Sequence, residues 1–139
     1  MSGDADPAAI RSLAVSSEDV VNAFVYTREN PGTAVLRVTP PFHGRMRARL
    51  HVYQLEDARE TGAVHISPVR LLEDAVVDSF PALEDTETTL GADPEPEVIR
   101  EAHTEALEDW RERAAGSIVE VVDLEAGEGP HRVDVKRLG

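Results

Sequence analysis

Residues Ala34–Tyr53 read A-V-L-R-V-T-P-P-F-H-G-R-M-R-A-R-L-H-V-Y. The second half alternates strictly. Arg45, Arg47, Arg49, His51 and Tyr53 share one parity, and Met46, Ala48, Leu50 and Val52 share the other. Successive side chains of a strand point to opposite faces, so the pattern predicts an amphipathic strand over Arg45–Tyr53 with one apolar and one cationic face. Thr33–Thr39 reads as its partner. Pro40-Pro41 between them lacks two backbone N–H donors, which forces a bend or an edge rather than interior ladder. Asn30–Leu55 holds no Asp or Glu, whereas 27 carboxylates in 139 residues would place about five in such a stretch of 26. This is the basic island of an acidic chain.

Upstream, Ser16-Ser17-Glu18-Asp19 reads as a capping box, followed by Val20, Val21, Phe24 and Val25 at helical spacing. Asn30-Pro31-Gly32 ends that helix, placing it at 17–29. Residues 1–15 read as an N-terminal extension, partly disordered, with Asp6-Pro7 capping a short helix through Leu13. Residues 16–139 read as a single domain.

Downstream, Gln54–Gly62 is a polar turn and Ala63–Ile66 a short strand. Ser67-Pro68 then opens a helix carrying Val69, Leu72, Val76 and Phe80 along one side, which Pro81 stops. Pro81–Glu97 holds six carboxylates, three prolines and no cation, and predicts a long acidic loop, mobile or wrapped over the surface. A helix then runs from about Pro94–Glu97 to Ala115, with Gly116 as its stop. It carries a stripe of Ile99, Ala102, Ala106 and Trp110 and an Asp109–Arg113 pair. At about 30 Å it is long enough to cross one face of a sheet. Ser117–Leu124 and His131–Leu138 form a closing hairpin around Ala126–Pro130. Together these elements predict an α+β fold: an antiparallel or mixed sheet of about five strands with about three helices packed on one face.

Composition narrows the class. No cysteine is present, which excludes disulfides and cysteine-held metals. No apolar run approaches the roughly 20 residues that span a bilayer, and Met1–Ala9 is polar, so neither a membrane span nor a secretory leader is read. The expected compartment is the cytoplasm. The net charge is −13, and thirteen of the fourteen basic residues are arginine, Lys136 being the lysine. Together with Ala- and Val-rich apolar content, this profile points to an extreme halophile. There, carboxylates keep the surface hydrated while their repulsion is screened.

Three guanidiniums at i, i+2 and i+4, with Arg37 on the neighbouring strand, form a row suited to bidentate binding of phosphate or carboxylate. Phe42-His43 in the Pro-Pro-Phe-His-Gly turn border it, with Gly44 as the expected left-handed position. The candidate binding residues are Arg37, Phe42, His43, Arg45, Arg47, Arg49 and His51. The plainer alternative is a solvated strand face paired with the protein's own carboxylates. His51 and His65 are placed to face each other across strands, yet five scattered histidines give no metal constellation. Glu-x-x-His spacing is absent at His103, since Arg100 stands three residues before it. Gly127-x-Gly129 sits in a hairpin, not between strand and helix. No metal, cofactor or catalytic residue is read from the chain.

The run Thr39–Val52, T-P-P-F-H-G-R-M-R-A-R-L-H-V, together with Trp110-Arg111 and the closing His131–Leu138 strand, resembles a family of small acidic haloarchaeal proteins of unknown function. The resemblance spans about Ser16 to Gly139. It implies a halophilic cytoplasm and one domain over the chain, and it carries no catalytic residue across.

The leading functional expectation is a non-enzymatic binding or accessory protein whose arginine face contacts an anionic ligand or partner protein. Nucleic-acid binding by the same face is the first alternative, disfavoured because phosphate contacts weaken steeply with salt. An enzyme using His43 as acid and base is the second. If the acidity is halophilic adaptation, thermal melting should rise strongly between about 0.1 M and about 3 M KCl, as the Debye length falls from about 10 Å to below 3 Å. A flat or falling melting curve contradicts that origin for the charge.

Overall fold

A computed structural model describes residues 6–53, 62–82, 91, 95–126 and 129–138. Among the described residues, six strands form one mixed sheet that curls towards a barrel, in the order β4-β2-β3-β1-β6-β5. In chain order the elements are β1 (Ser12–Ser16), α1 (Ser17–Glu29), β2 (Thr33–Val38), β3 (Arg45–Tyr53), β4 (Val64–Ile66), α2 (Asp74–Asp78), α3 (Pro96–Ala115), β5 (Val121–Ala126) and β6 (Gly129–Leu138). Short 3-10 turns occupy Pro7–Ala9 and Pro68–Leu71. The α+β class and the three helices agree with the sequence reading.

The sixth strand is the one the sequence reading lacked. Asp6 caps the expected N-terminal helix by accepting from Ala8 N at 3.0 Å, but that helix lasts only one 3-10 turn. Residues 12–16, Ser-Leu-Ala-Val-Ser, then become the centre of the sheet. β1 pairs in parallel with β3 on one side and with β6 on the other. Leu13 and Val15, fully buried, face inward. So residues 12–15, taken from the sequence for an extension, belong to the sheet, and residues 1–5 lie outside the described residues.

Ser16 ends β1 and caps α1 in the same step, its Oγ accepting from Asp19 N at 3.3 Å. Asp19 does not close a capping box. Its Oδ2 accepts instead from Leu50 N at 3.4 Å. Val15↔Ala48 is the last inner pair before β1 gives way to helix, and Asp19 satisfies an N–H of β3 beyond it. Thr27 ties the other end, accepting from Ala34 N at 3.0 Å. Helix α1 therefore lies across the inner face, burying Val20, Val21, Ala23, Phe24 and Val25 against Leu36, Val38, Ala48 and Ile66 in one continuous core.

The helix expected after Ser67-Pro68 is broken in two. Leu72 forms an isolated bridge with Ile118, Val119 N donates to Leu71 O at 2.9 Å, and Glu73 N donates to Ser117 O at 3.0 Å. Backbone committed to that ladder cannot also make helical bonds, and Val69 is left exposed. The same ladder takes Ser117–Val119 out of the closing hairpin, so β5 starts at Val121, with Glu120 O just before it accepting from Val135 N at 2.8 Å. Helix α3 begins at Pro96 and stops at Gly116. It packs on α1 and α2 with its C-terminal half rather than crossing the sheet. Trp110 anchors it, with its ring 5.1 Å from Phe24 and 4.9 Å from Phe80, and its Nε1 donating to Val76 O at 2.7 Å. Arg113 donates to Ser79 Oγ rather than turning to Asp109. Of the acidic loop expected at 81–97, residues 83–90 and 92–94 lie outside the described residues, as does the turn at 54–61.

A cationic row on the outer sheet face as the candidate functional site

The register across the sheet decides which side chains meet. The Arg11–Ser12 backbone joins three strands: Arg11 N and Ser12 N both donate to Gly44 O at 2.9 Å, and Asp134 N donates to Arg11 O at 3.0 Å. That sets Ser12 between Arg45 and Asp134, and Ala14 between Arg47 and Lys136. Paired residues in adjacent strands point to the same face. The even positions of β1 and β6 and the odd positions of β3 therefore share the outer face. Opposite them, Leu13, Val15, Ala48, Val133 and Val135 are buried beneath α1.

The outer face holds a line of three exposed guanidiniums, Arg45, Arg47 and Arg49, about 6.6 Å apart along β3. Lys136 stands across from Arg47, two strand spacings away, roughly 9.6 Å. The floor between them is Ser12, Ala14 and Ser16. Among the described residues, none of these four cations makes a hydrogen bond or ion pair with another. The β5 side of the face differs in sign. Asp134, Asp123 and Glu125 are exposed there, and Arg132 Nε lies 3.7 Å from Asp123 Oδ1 as an exposed cross-strand pair. An exposed pair of this kind adds little stability.

Arg37 belongs to the row by register and not by behaviour. It pairs with Arg49 on one side and with His65 on the other. Directly opposed like charges cost energy, and Arg37 turns aside to His51, its Nη1 at 3.4 Å from Nδ1 and 3.3 Å from Nε2. Near-equal distances place the guanidinium against the ring and not in line with either nitrogen. The His51 and His65 rings lie 5.6 Å apart, as the sequence placed them. No group of three or more metal-ligating side chains occurs among the described residues.

Two expectations at the turn fail. Phe42 is 1% exposed and packs into the core, so it offers no surface to a ligand. A Phe at the foot of a bend loses more by exposure to water than the loop gains from a binding tip. Gly44 does not adopt a positive φ, unlike Gly62, Gly91 and Gly129. A Cβ on it would meet no atom within 4 Å, so nothing in the structure explains the glycine. His43 is exposed, and Pro40-Pro41 is a cis peptide. Lys136 was missed because β1 was missed. The signal was present in the alternation Ser12-Leu13-Ala14-Val15-Ser16, small or polar against apolar.

Fold and surface together define a small mixed-sheet α+β domain with a cationic strand row on its open face. The chain belongs to the family described as a domain of unknown function (DUF8009), which matches residues 1–139. No curated protein and no solved structure matches it. Among the described residues, no helix is long and apolar enough to cross a membrane.

The buried place of Phe42 beside exposed His43 gives a direct contrast. Phe42→Ala should cost about 3–5 kcal/mol in urea unfolding, and His43→Ala should stay within about 0.5 kcal/mol. Equal small effects would return Phe42 to the surface.

Proposed function

We propose that the protein is a non-enzymatic binding or accessory protein of the haloarchaeal cytoplasm, whose outer sheet face contacts an anionic ligand or partner protein. One observation carries this reading. In a chain with 27 carboxylates, Arg45, Arg47, Arg49 and Lys136 stay exposed and without a partner among the described residues. A merely solvated face in so acidic a protein would find carboxylates of its own. A strand presenting guanidiniums at regular spacing suits a ligand with several oxyanions, each taken bidentately. Arg37 and His51 border the contact at the β2 side.

Nucleic-acid binding by this face is the weaker reading. Counterion release makes phosphate contacts steeply salt-dependent, and affinity in strong salt then falls to base stacking. Burial of Phe42 removes the aromatic nearest the row. Acid–base catalysis through His43 gains no support either, because no carboxylate partner for it occurs among the described residues.

The test compares the wild type with a variant in which Arg45, Arg47 and Arg49 are all replaced by Gln. Tripolyphosphate and an oligoglutamate peptide serve as calorimetric probes. Binding of at least one probe should weaken tenfold or more, a change of about 1.4 kcal/mol, with unfolding free energy held within about 1 kcal/mol. Unchanged binding of both probes contradicts the proposal, and so does collapse of the fold, which would make the arginines structural.

A further inference from the structure

The cationic row has a counterpart on the same chain. Glu97, Glu101, Glu105, Glu108 and Glu112 are all exposed on α3, and at 3.6 residues per turn they fall within an arc of about 80°. That arc points away from Trp110 and Ala114, the buried side of the helix. Arg100 borders it on one side, and Arg111 is drawn off to Asn22 Oδ1 at 2.8 Å. Because α3 packs on α1, and α1 on the inner face of the sheet, the carboxylate stripe and the arginine row lie on opposite sides of the molecule.

We infer that the outer-face row docks on the α3 carboxylate stripe of a second copy of this chain, joining copies head to tail. The inference rests on the proposed reading of the row as a contact surface for anionic groups, and it names the partner. Three features favour this occupant. Successive stripe carboxylates rise by about 4.5–6 Å along the helix, against about 6.6 Å between alternate residues of β3, a mismatch that flexible arginine stems absorb. The β3 row and Lys136 flank a shallow trough one strand wide whose floor is small residues, so long cationic side chains can reach along both sides of an apposed helix. Its charge is complementary to the stripe over several contacts at once, which favours one register over others. Asp134 stands at the Arg45 end of the trough, so the Arg47–Arg49 end is the more attractive to carboxylates.

Opposed surfaces on one molecule make a heterologous contact, which extends the chain of copies instead of closing a two-fold dimer. A charge of −13 on each copy repels at long range, and salt screens both that repulsion and the exposed contacts across the joint, so association should be strongest at intermediate salt and weaken as salt rises further.

The experiment is sedimentation, over a KCl series from about 0.1 M to about 3 M, of the wild type, of the Arg45→Gln, Arg47→Gln, Arg49→Gln variant, and of a Glu101→Gln, Glu105→Gln, Glu108→Gln variant. Wild-type mass should rise with concentration past the dimer without a plateau. Each variant alone should remain monomeric. An equimolar mixture should stop at a one-to-one heterodimer, since one variant keeps the stripe and the other keeps the row. A wild type that stays monomeric at every concentration overturns the inference, as does a glutamate variant that still associates or a mixture that remains monomeric. The glutamate changes lie on an exposed helix face, and single Arg47→Gln is a second probe of the row should the triple variant fail to fold. A monomeric wild type whose probe binding is lost in the arginine variant sinks the self-contact and leaves the proposed function standing.

Discussion

The carbonyl of Gly44 accepts from two successive amides, Arg11 N and Ser12 N, and the rest of the sheet depends on that junction. It starts β1 beside β3 in a fixed parallel register, and the bond from Asp134 N to Arg11 O fixes β6 on the other side. A shift of one residue would turn every side chain of β1 to the opposite face, putting Leu13 and Val15 into water. Because that face is the core, the register is strongly specified. The placement of each arginine outward follows from it. The β2–β3 hairpin and the β5–β6 hairpin are local constructions, and β1 makes them one sheet.

Charge is distributed in this fold by layer. The inner sheet face and the buried side of α1 are apolar, and α3 adds a second layer held by a cluster of Phe24, Phe80 and Trp110. Carboxylates crowd the outward side of α3, and cations crowd the outward side of β3. Helix formers such as Glu suit the first position, whereas strands are poor in Asp and Glu, so part of the separation follows from local preference. Local preference does not account for arginine at three alternate positions without a carboxylate beside any of them. Cross-strand neighbours offered easy places for one, since Ser12 and Ala14 stand next to Arg45 and Arg47. Among the described residues, Arg132 and Asp123 are the one place where the outer face uses such a pair.

Much of the fold was legible because its elements have one strong period each. Arg45–Tyr53 alternates without exception, and α1 carries both a cap and a helical apolar face, so their limits were read to the residue. What escaped was decided by distant partners. The alternation over the five residues of β1 is short and runs straight into a helix cap, and pairing with β3 and β6 is what makes them a strand. The apolar positions from Val69 to Phe80 repeat like a helix, yet the ladder between Leu71–Glu73 and Ser117–Val119 captures the backbone first. The arginine row was visible as a pattern. Lys136, its fourth member, was not, since 122 residues of chain separate it from Ala14, its neighbour in space. Phe42 was misplaced for the reverse reason: a rigid turn resembles a binding loop until its one large apolar side chain is seen to point inward.

The central claim is that Arg45, Arg47 and Arg49 are free guanidiniums aimed at an anion, and their own N–H resonances test it most directly. Sulfate is titrated into isotope-labelled protein at fixed ionic strength, with chloride reduced in step, while the arginine Nε–Hε signals are followed. Saturable shifts should appear at Arg45, Arg47 and Arg49. Arg28, which stacks on Phe24 at 4.8 Å, and Arg132, paired with Asp123, should stay nearly still. Shifts spread evenly over all arginines, or none at the row, would contradict the claim and leave the row as ordinary solvated surface.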